Sequence, residues 1–360
     1  MDTEKANKLF ELSSYLRPPG QGIYTVSTGK SKTTQFTQAY CPKFSNVLNH
    51  LKNIDWSSPK VFLLGIPSDT GAGFLKGAAH GPQAIRQNLI DQDFDLDSFI
   101  DLGDIVCIPH LLHDSMLSKE QLRSSRKALY QNPEVKYPVS PLSITARVLE
   151  ILLDLNPQLK ILSLGGDHSC SLPLLQTYLQ KNEKRTAILH IDAHTDLMEE
   201  RLGVKYCYAT WAFHILKDLV KSSDLIQIGI RASSHDKKYW QEKYGIQQYR
   251  MNELKNPQDF FNEFNSYLKK NHIEQIYISN DIDGTDIEYA GLCGTPERAG
   301  IQPSWLMELF DLIHESDIKI IAGDIMEFAP NMQSKFAHNS NQTISLYCQK
   351  QLDLLRNKDA

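Results

Sequence analysis

Ala187-Ile188-Leu189-His190-Ile191-Asp192-Ala193-His194-Thr195-Asp196 sets an apolar run directly against a cluster of metal-binding side chains. The run is short, β-branched and continuous, as expected of a strand buried on both faces of a parallel sheet. Two other stretches repeat the arrangement. Ile161-Leu162-Ser163-Leu164 leads into Gly165-Gly166-Asp167-His168, and Gln275-Ile276-Tyr277-Ile278-Ser279-Asn280 leads into Asp281-Ile282-Asp283. Open α/β sheets bind ligands at the C-terminal ends of their strands. Three acidic or imidazole clusters at three strand ends therefore predict one shared site.

Outward from these stretches the chain alternates apolar runs with helical patterns. Further strands are expected at Val61–Gly65, Ile105–Ile108, Leu225–Ile230 and Lys319–Ala322. Helices are expected from Gly81-Pro82 through Ile90, and at Ile144–Leu155, Ser171–Gln180, Trp211–Val220, Pro257–Lys269, Pro303–Glu315 and Thr343–Leu355. Pro at the first turn suits the Gly81 start. The alternation predicts a single α/β domain in three layers, α/β/α, around a mostly parallel sheet. Residues 58–360 form this domain, and residues 1–57 read as an irregular extension packed on it or on a neighbouring subunit. Within that extension, Pro18-Pro19-Gly20 and the polar stretch Ser27 to Gln38 read as loops. Leu111 to Pro141 reads as a helical insertion or long loop.

Composition narrows the function. A net charge of −5 over 360 residues gives no electrostatic reason to expect nucleic acid or an anionic membrane as partner. No apolar stretch reaches membrane-span length, and Met1 to Phe10 lacks the apolar core of a signal peptide. The six cysteines are scattered without a C-x-x-C pair, so neither a disulfide scaffold nor a zinc ribbon is expected. A reducing cytoplasm follows as the expected compartment.

The site candidates are His168, Asp192, His194, Asp196, Asp281 and Asp283. Residues two apart on a continuing strand share a face, which would pair Asp192 with His194 and Asp281 with Asp283. The Gly165-Gly166 pair is expected to let the backbone turn tightly before His168. Mixed carboxylate and imidazole donors suit Mn, Zn, Fe or Ni better than Ca. Six such donors suit two cations about 3.5–4 Å apart, a pair that makes hydroxide available near neutral pH for hydrolysis.

These residues resemble the ureohydrolases, the arginase–agmatinase–formimidoylglutamase superfamily. The signatures are Gly166-Asp167-His168-Ser169, Asp192-Ala193-His194-Thr195-Asp196 and Ser279-Asn280-Asp281-Ile282-Asp283-Gly284-Thr285-Asp286. Gly65-Ile66-Pro67, Gly77, Gly81-Pro82, Gly294-Thr295-Pro296-Glu297 and Gly323-Asp324-Ile325-Met326-Glu327 extend the resemblance over roughly residues 60 to 357. It implies an arginase-like fold, a homo-oligomer and two Mn ions per subunit. His168, Asp192, Asp196 and Asp281 would hold one ion. Asp192, His194, Asp281 and Asp283 would hold the other. Asp283 would help guide a proton, and Glu327 would grip a substrate guanidinium bidentately. The implied reaction is agmatinase-like cleavage of a guanidino compound to urea and an amine, a formimino or guanidino acid being the alternative substrate.

The chain departs from that pattern in places. Where relatives of the guanidino type carry His in a His-Gly-Thr motif, this chain reads Tyr206-Cys207-Tyr208-Ala209-Thr210, and Tyr208 takes the place of the proton-shuttling His. That loss admits a further alternative, a metal-binding pseudoenzyme. Leu197-Met198-Glu199-Glu200-Arg201-Leu202 does not match the polar set with which arginases hold L-arginine. Glu199 and Glu200 would favour a cationic tail, Arg201 a carboxylate tail. Ile287 stands where the family has Pro, a change expected to alter loop stiffness alone. Cys207 has no adjacent His or Asn and reads as a small buried hydrophobe. The loop of Gly71, Gly73 and Gly77 lacks the ending of a phosphate loop and reads as a flexible segment at the site mouth.

Overall fold

The computed structural model describes residues 3–24, 36–41, 44 and 46–356. Nine strands form one sheet: β1 (Leu16–Arg17), β2 (Val61–Gly65), β3 (Phe99–Ile105), β4 (Ile161–Leu164), β5 (Thr186–Ile191), β6 (Leu225–Ile230), β7 (Gln247–Arg250), β8 (Gln275–Asp281) and β9 (Lys319–Met326). Their spatial order is β1-β3-β2-β4-β9-β8-β5-β6-β7. Every pairing is parallel except that of β1 with β3.

Strand alternation produces the three layers. Phe62, Leu64, Ile161 and Ile188 pack into a core with helices Thr3–Tyr15, Pro141–Leu155, Ser171–Lys181 and Trp211–Ile215. Their neighbours Val61, Leu63, Leu162, Leu164, Ala187 and Leu189 face the opposite core, built on helices Gly81–Asp91, Pro257–Lys270, Pro303–Glu315 and Ala337–Leu355. Both faces of the sheet are thus covered, which explains strands that are apolar throughout.

The chain order β4, β5, β8, β9 becomes the spatial order β4-β9-β8-β5. Four adjacent strand ends therefore face one another, and each leads into candidate site residues. That adjacency positions the site.

The third strand differs from its expected position. It spans Phe99–Ile105, whereas Ile108 and Leu111 join a small separate cluster with Val139. Asp101 and Asp104 interrupt the apolar pattern of β3. They are tolerated because buried Arg86 bonds both, at 2.7 and 2.5 Å, while the Tyr40 hydroxyl also donates to Asp101 Oδ2 and the Gly20 amide to the other oxygen of Asp104. The same network fastens the N-terminal segment to the sheet, and the Glu11–Arg147 ion pair fastens its first helix. Of the loop expected over Ser27 to Gln38, residues 27–35 lie outside the described residues, and 36–40 are helical. The helix expected at Trp211–Val220 ends at Ile215 and passes into a 3-10 turn. The insertion contains a helix, Lys119–Tyr130, started by a Ser118/Gln121 capping box. Among the described residues, no helix is long and apolar enough to cross a membrane.

Candidate metal centre

His168, Asp192, Asp196 and Asp281 meet above the ends of β4, β5 and β8. The His168 Nδ1 atom lies 3.0 Å from Asp281 Oδ2, 3.2 Å from Asp192 Oδ2 and 3.4 Å from Asp196 Oδ2. Next to them, His194 Nδ1 lies 3.1 Å from Asp283 Oδ2 and 3.5 Å from Asp192 Oδ1. Asp192 thus belongs to both groups. All six residues are at least nine-tenths buried except His194, whose side chain is 25% exposed and marks the open side.

The local backbone differs from the same-face strand expectation. β5 stops at Ile191, so Asp192 and His194 converge through a tight turn in which the His194 amide donates to Asp192 Oδ1 at 2.5 Å. Asp281 ends β8, but Asp283 sits in a 3-10 turn whose amide donates to Asp281 Oδ1 at 2.9 Å. Once the chain leaves the sheet, side chains two apart no longer share a face. An aspartate that accepts from the amide two residues on turns the chain instead. Gly165 and Gly166 also act otherwise than expected. Neither has positive φ, but a Cβ on Gly166 would sit 1.7 Å from the Ser68 carbonyl oxygen. Close backbone approach, rather than turning freedom, demands glycine there. Asp196 (φ 51°) and Glu327 (φ 66°) occupy the left-handed region, which costs about 1–2 kcal/mol each for a residue with a Cβ.

His168 shows what the centre is built to hold. Its Nε2 lies 3.0 Å from Ser279 Oγ, and that hydroxyl donates onward to Asp324 Oδ1 at 2.9 Å. Nε2 therefore carries the ring proton, and the Nδ1 lone pair faces three carboxylates. Such an arrangement is repulsive until a cation stands between them. Neighbouring donors on a cation at about 2.1 Å are about 3.0 Å apart, close to the separations around His168 Nδ1. Electrostatics point the same way. Burial, and after it Asp283 and Asp192, lifts the Asp281 carboxyl well above its usual range. Burial and Asp192 lift that of Asp196. Burial opposes a charge on His168, yet Asp192 and Asp281 hold its ring well above the usual range for imidazole. A proton there stands where a cation held by these groups would stand, and metal binding would release it. His168, His190, Asp192 and Asp196 form one group that could hold a metal ion, and Asp192, His194 and Asp283 a second.

Glu327 follows β9 and completes the ring. Its Oε1 accepts from the His168 amide at 2.9 Å, while its Oε2 faces Gly294, where an added Cβ would lie 3.8 Å away. Burial and then Asp281 push its carboxyl well above the usual range. Tyr208 is half-buried against the glycine loop. Its amide bonds Gly71 O at 3.0 Å, and its hydroxyl would lie 3.0 Å from a Cβ on Gly73. Arg201 donates to the Tyr208 hydroxyl at 2.5 Å. His214 is directed elsewhere, with its Nε2 bonded to the Lys205 carbonyl at 2.8 Å. Cys207 is buried.

Three supporting residues were hidden in the sequence. Trp211 Nε1 donates to Asp196 Oδ2 at 2.8 Å, and its ring lies 4.7 Å from those of both His168 and His190. Thr295 donates to Asp283 Oδ2 at 2.9 Å. His190 bonds Asp192 Oδ2 at 2.7 Å. A His inside an apolar strand, two residues before Asp192, was the available signal for the last.

Comparisons with known proteins bear on the family and the fold. The Arginase family model matches residues 59–354. The mitochondrial agmatinase of Gallus gallus is 29% identical over 283 residues, covering 74% of this chain and 73% of its own. The N(1)-aminopropylagmatine ureohydrolase of Thermus thermophilus is 25% identical, covering 78% of this chain and 87% of its own. Among solved structures, the proclavaminate amidino hydrolase of Streptomyces clavuligerus shares the fold with a TM-score of 0.64 at 23% identity, covering 82% of this chain and 92% of its own. The chain belongs to the arginase family, the ureohydrolases, and is a hydrolase of C–N bonds with an agmatinase-like sequence.

Proposed function

We propose that this protein is a dinuclear manganese hydrolase that cleaves a linear C–N bond of a guanidino compound to urea and an amine. The observation that carries the reading is the His168 Nδ1 atom set 3.0–3.4 Å from three buried carboxylates. His168, Asp192, Asp196 and Asp281 would hold one ion, and Asp192, His194, Asp281 and Asp283 the other. Four carboxylates to two imidazoles favour Mn over softer ions. A pair of such ions, when bound, would lower the pKa of water and so supply hydroxide near neutral pH.

The chain's own residues do the rest. Glu327 Oε2, buried beside Gly294, receives the guanidinium, a cation that offsets the cost of a charged carboxylate in that place. Thr295 and the Ala193 amide hold both oxygens of Asp283. Tyr208 accepts from Arg201 and so keeps its own proton to donate towards the departing amine. Burial raises the Tyr208 hydroxyl above its usual value, so it stays protonated at neutral pH and is not available there as a base. The six free cysteines suit a reducing compartment, the cytoplasm being our reading, and a homo-oligomer is proposed by analogy with the family.

One observation favours a guanidino acid over agmatine. Glu199, Glu200 and Arg201 are all exposed, and the Arg201 guanidinium sits on the Tyr208 hydroxyl with its carbon 5.3 Å from the ring centre. That cation at the mouth attracts a carboxylate tail and repels an ammonium tail. The test is release of urea and ammonia by the Mn-loaded protein from agmatine, L-arginine, guanidinobutyrate, guanidinopropionate, guanidine and formimidoylglutamate. Urea from a guanidino acid is the expected result. Ammonia alone, from formimidoylglutamate alone, would reassign the reaction. Absence of product from every compound, with two Mn bound, would refute the reading.

A further inference from the structure

His190, Gln227 and Gln248 are register partners across β5, β6 and β7, and all three are buried. Their side chains form a continuous file. Gln248 Nε2 donates to Gln227 Oε1 at 2.9 Å. Gln227 Nε2 reaches both the Thr195 carbonyl oxygen, at 2.7 Å, and His190 Nδ1, at 2.9 Å. His190 Nε2 ends the file at Asp192 Oδ2, 2.7 Å away.

Hydrogen-bond chemistry fixes every direction in this file. The Thr195 carbonyl can only accept, so the amide nitrogen of Gln227 must face it. The reversed amide would set oxygen against oxygen. The second hydrogen on that nitrogen then goes to His190 Nδ1, which must offer a lone pair. The ring proton is left on Nε2 and is donated to Asp192. Neither His190 nitrogen is free to hold a metal, although the ring stands within ligand range of His168, Asp192 and Asp196.

We infer that His190, oriented by Gln227 and Gln248, is a positioning residue that locks Asp192, a carboxylate shared by the two cation sites. Gln227 also holds the Thr195 carbonyl, so one side chain on β6 braces the Asp192–Asp196 turn at both ends. Asp192 cannot rotate without breaking the bond to His190, and each of its oxygens stays assigned to one site. This inference rests on the dinuclear reading given above.

The experiment is titration of metal-free protein with Mn2+ alone, read by elemental analysis and by the electron paramagnetic resonance signal of coupled Mn pairs. It compares the wild type with His190→Phe, His190→Gln and Gln227→Met. The expected result is a drop in Mn affinity of tenfold or more for His190→Phe, with an altered coupled signal. Gln227→Met should follow in the same direction, and His190→Gln, which keeps a donor, should recover part of the affinity. Thermal melts without metal identify any variant that fails to fold, and His190→Gln and Gln227→Met keep the inference testable if His190→Phe does. Wild-type affinity and signal in folded variants would overturn it while leaving the dinuclear reading intact. Loss of one whole Mn in both His190 variants, with Gln227→Met unchanged, would make His190 a ligand and also overturn it. A wild type that takes up no Mn would overturn the dinuclear reading itself, and this inference with it.

Discussion

Replacing Trp211 by Phe tests the metal role proposed for Asp196 apart from the packing of the indole. The indole is fully buried, lies against the rings of His168 and His190, and donates its N–H to Asp196 Oδ2 at 2.8 Å. Phe keeps most of the apolar contact and removes the donor. A hydrogen bond to a charged group contributes about 1.5–3 kcal/mol. At about 1.4 kcal/mol per tenfold, that range corresponds to roughly a ten- to hundredfold loss of Mn affinity if the bond holds Asp196 in its ligating pose. The cavity left by the smaller ring should cost about 1 kcal/mol of stability on its own. Two assays keep these effects apart. Calorimetric Mn titration measures affinity, and melting of the metal-free protein measures the packing loss. The left-handed φ of Asp196 makes the bond matter more, because the backbone there is not in its preferred conformation. A folded Trp211→Phe protein with Mn affinity within twofold of wild type would refute the reasoning, since Asp196 would then need no help to reach the metal.

Other outcomes follow from the same geometry. Glu327→Gln should raise KM by about tenfold or more with both Mn ions retained, as measured by steady-state kinetics and elemental analysis; an unchanged KM would leave the residue a structural role only. Tyr208→Phe should slow turnover by about a hundredfold. Because burial raises the Tyr208 hydroxyl above its usual value, the wild-type pH–rate profile should show no alkaline fall from this group below about pH 10, and a fall at lower pH that vanishes in the variant would contradict the assignment. Glu11→Gln should cost about 1 kcal/mol at pH 7, since Arg147 bonds both Glu11 oxygens at 2.7 and 3.0 Å on a partly exposed surface. Burial opposes the charge on Glu11, yet Arg147 holds its carboxyl below the usual 4.5. The contribution is therefore present above that value and lost as pH falls through the lower folded one. The gap between the melts of the two proteins should narrow as pH falls below the usual 4.5, and a gap that stays equal down to acid pH would rule out the ion pair as its source.

The sequence by itself determined the layers and named the candidate donors. Runs such as Ile161–Leu164 and Thr186–Ile191 could be read as strands buried on both faces because every position is apolar or packed, and the side chains after them could be read as donors because their chemistry does not depend on context. It misplaced β3, whose Asp101 and Asp104 look like loop residues until Arg86, fifteen and eighteen positions away, neutralises them. It also read Asp192/His194 and Asp281/Asp283 as strand pairs, when side-chain-to-amide turns bring them together. Only the tertiary structure decided the rest. The order β4-β9-β8-β5 cannot be read from any local pattern, because it depends on which crossovers the whole chain closes, and it is what brings Glu327 between His168 and Asp281. The partners that orient the donors were equally invisible. Ser279, Trp211, Gln227 and Gln248 are ordinary residues for a strand or helix, and they gain meaning only where packing holds them within 3 Å of a ligand or of the residue that steadies one.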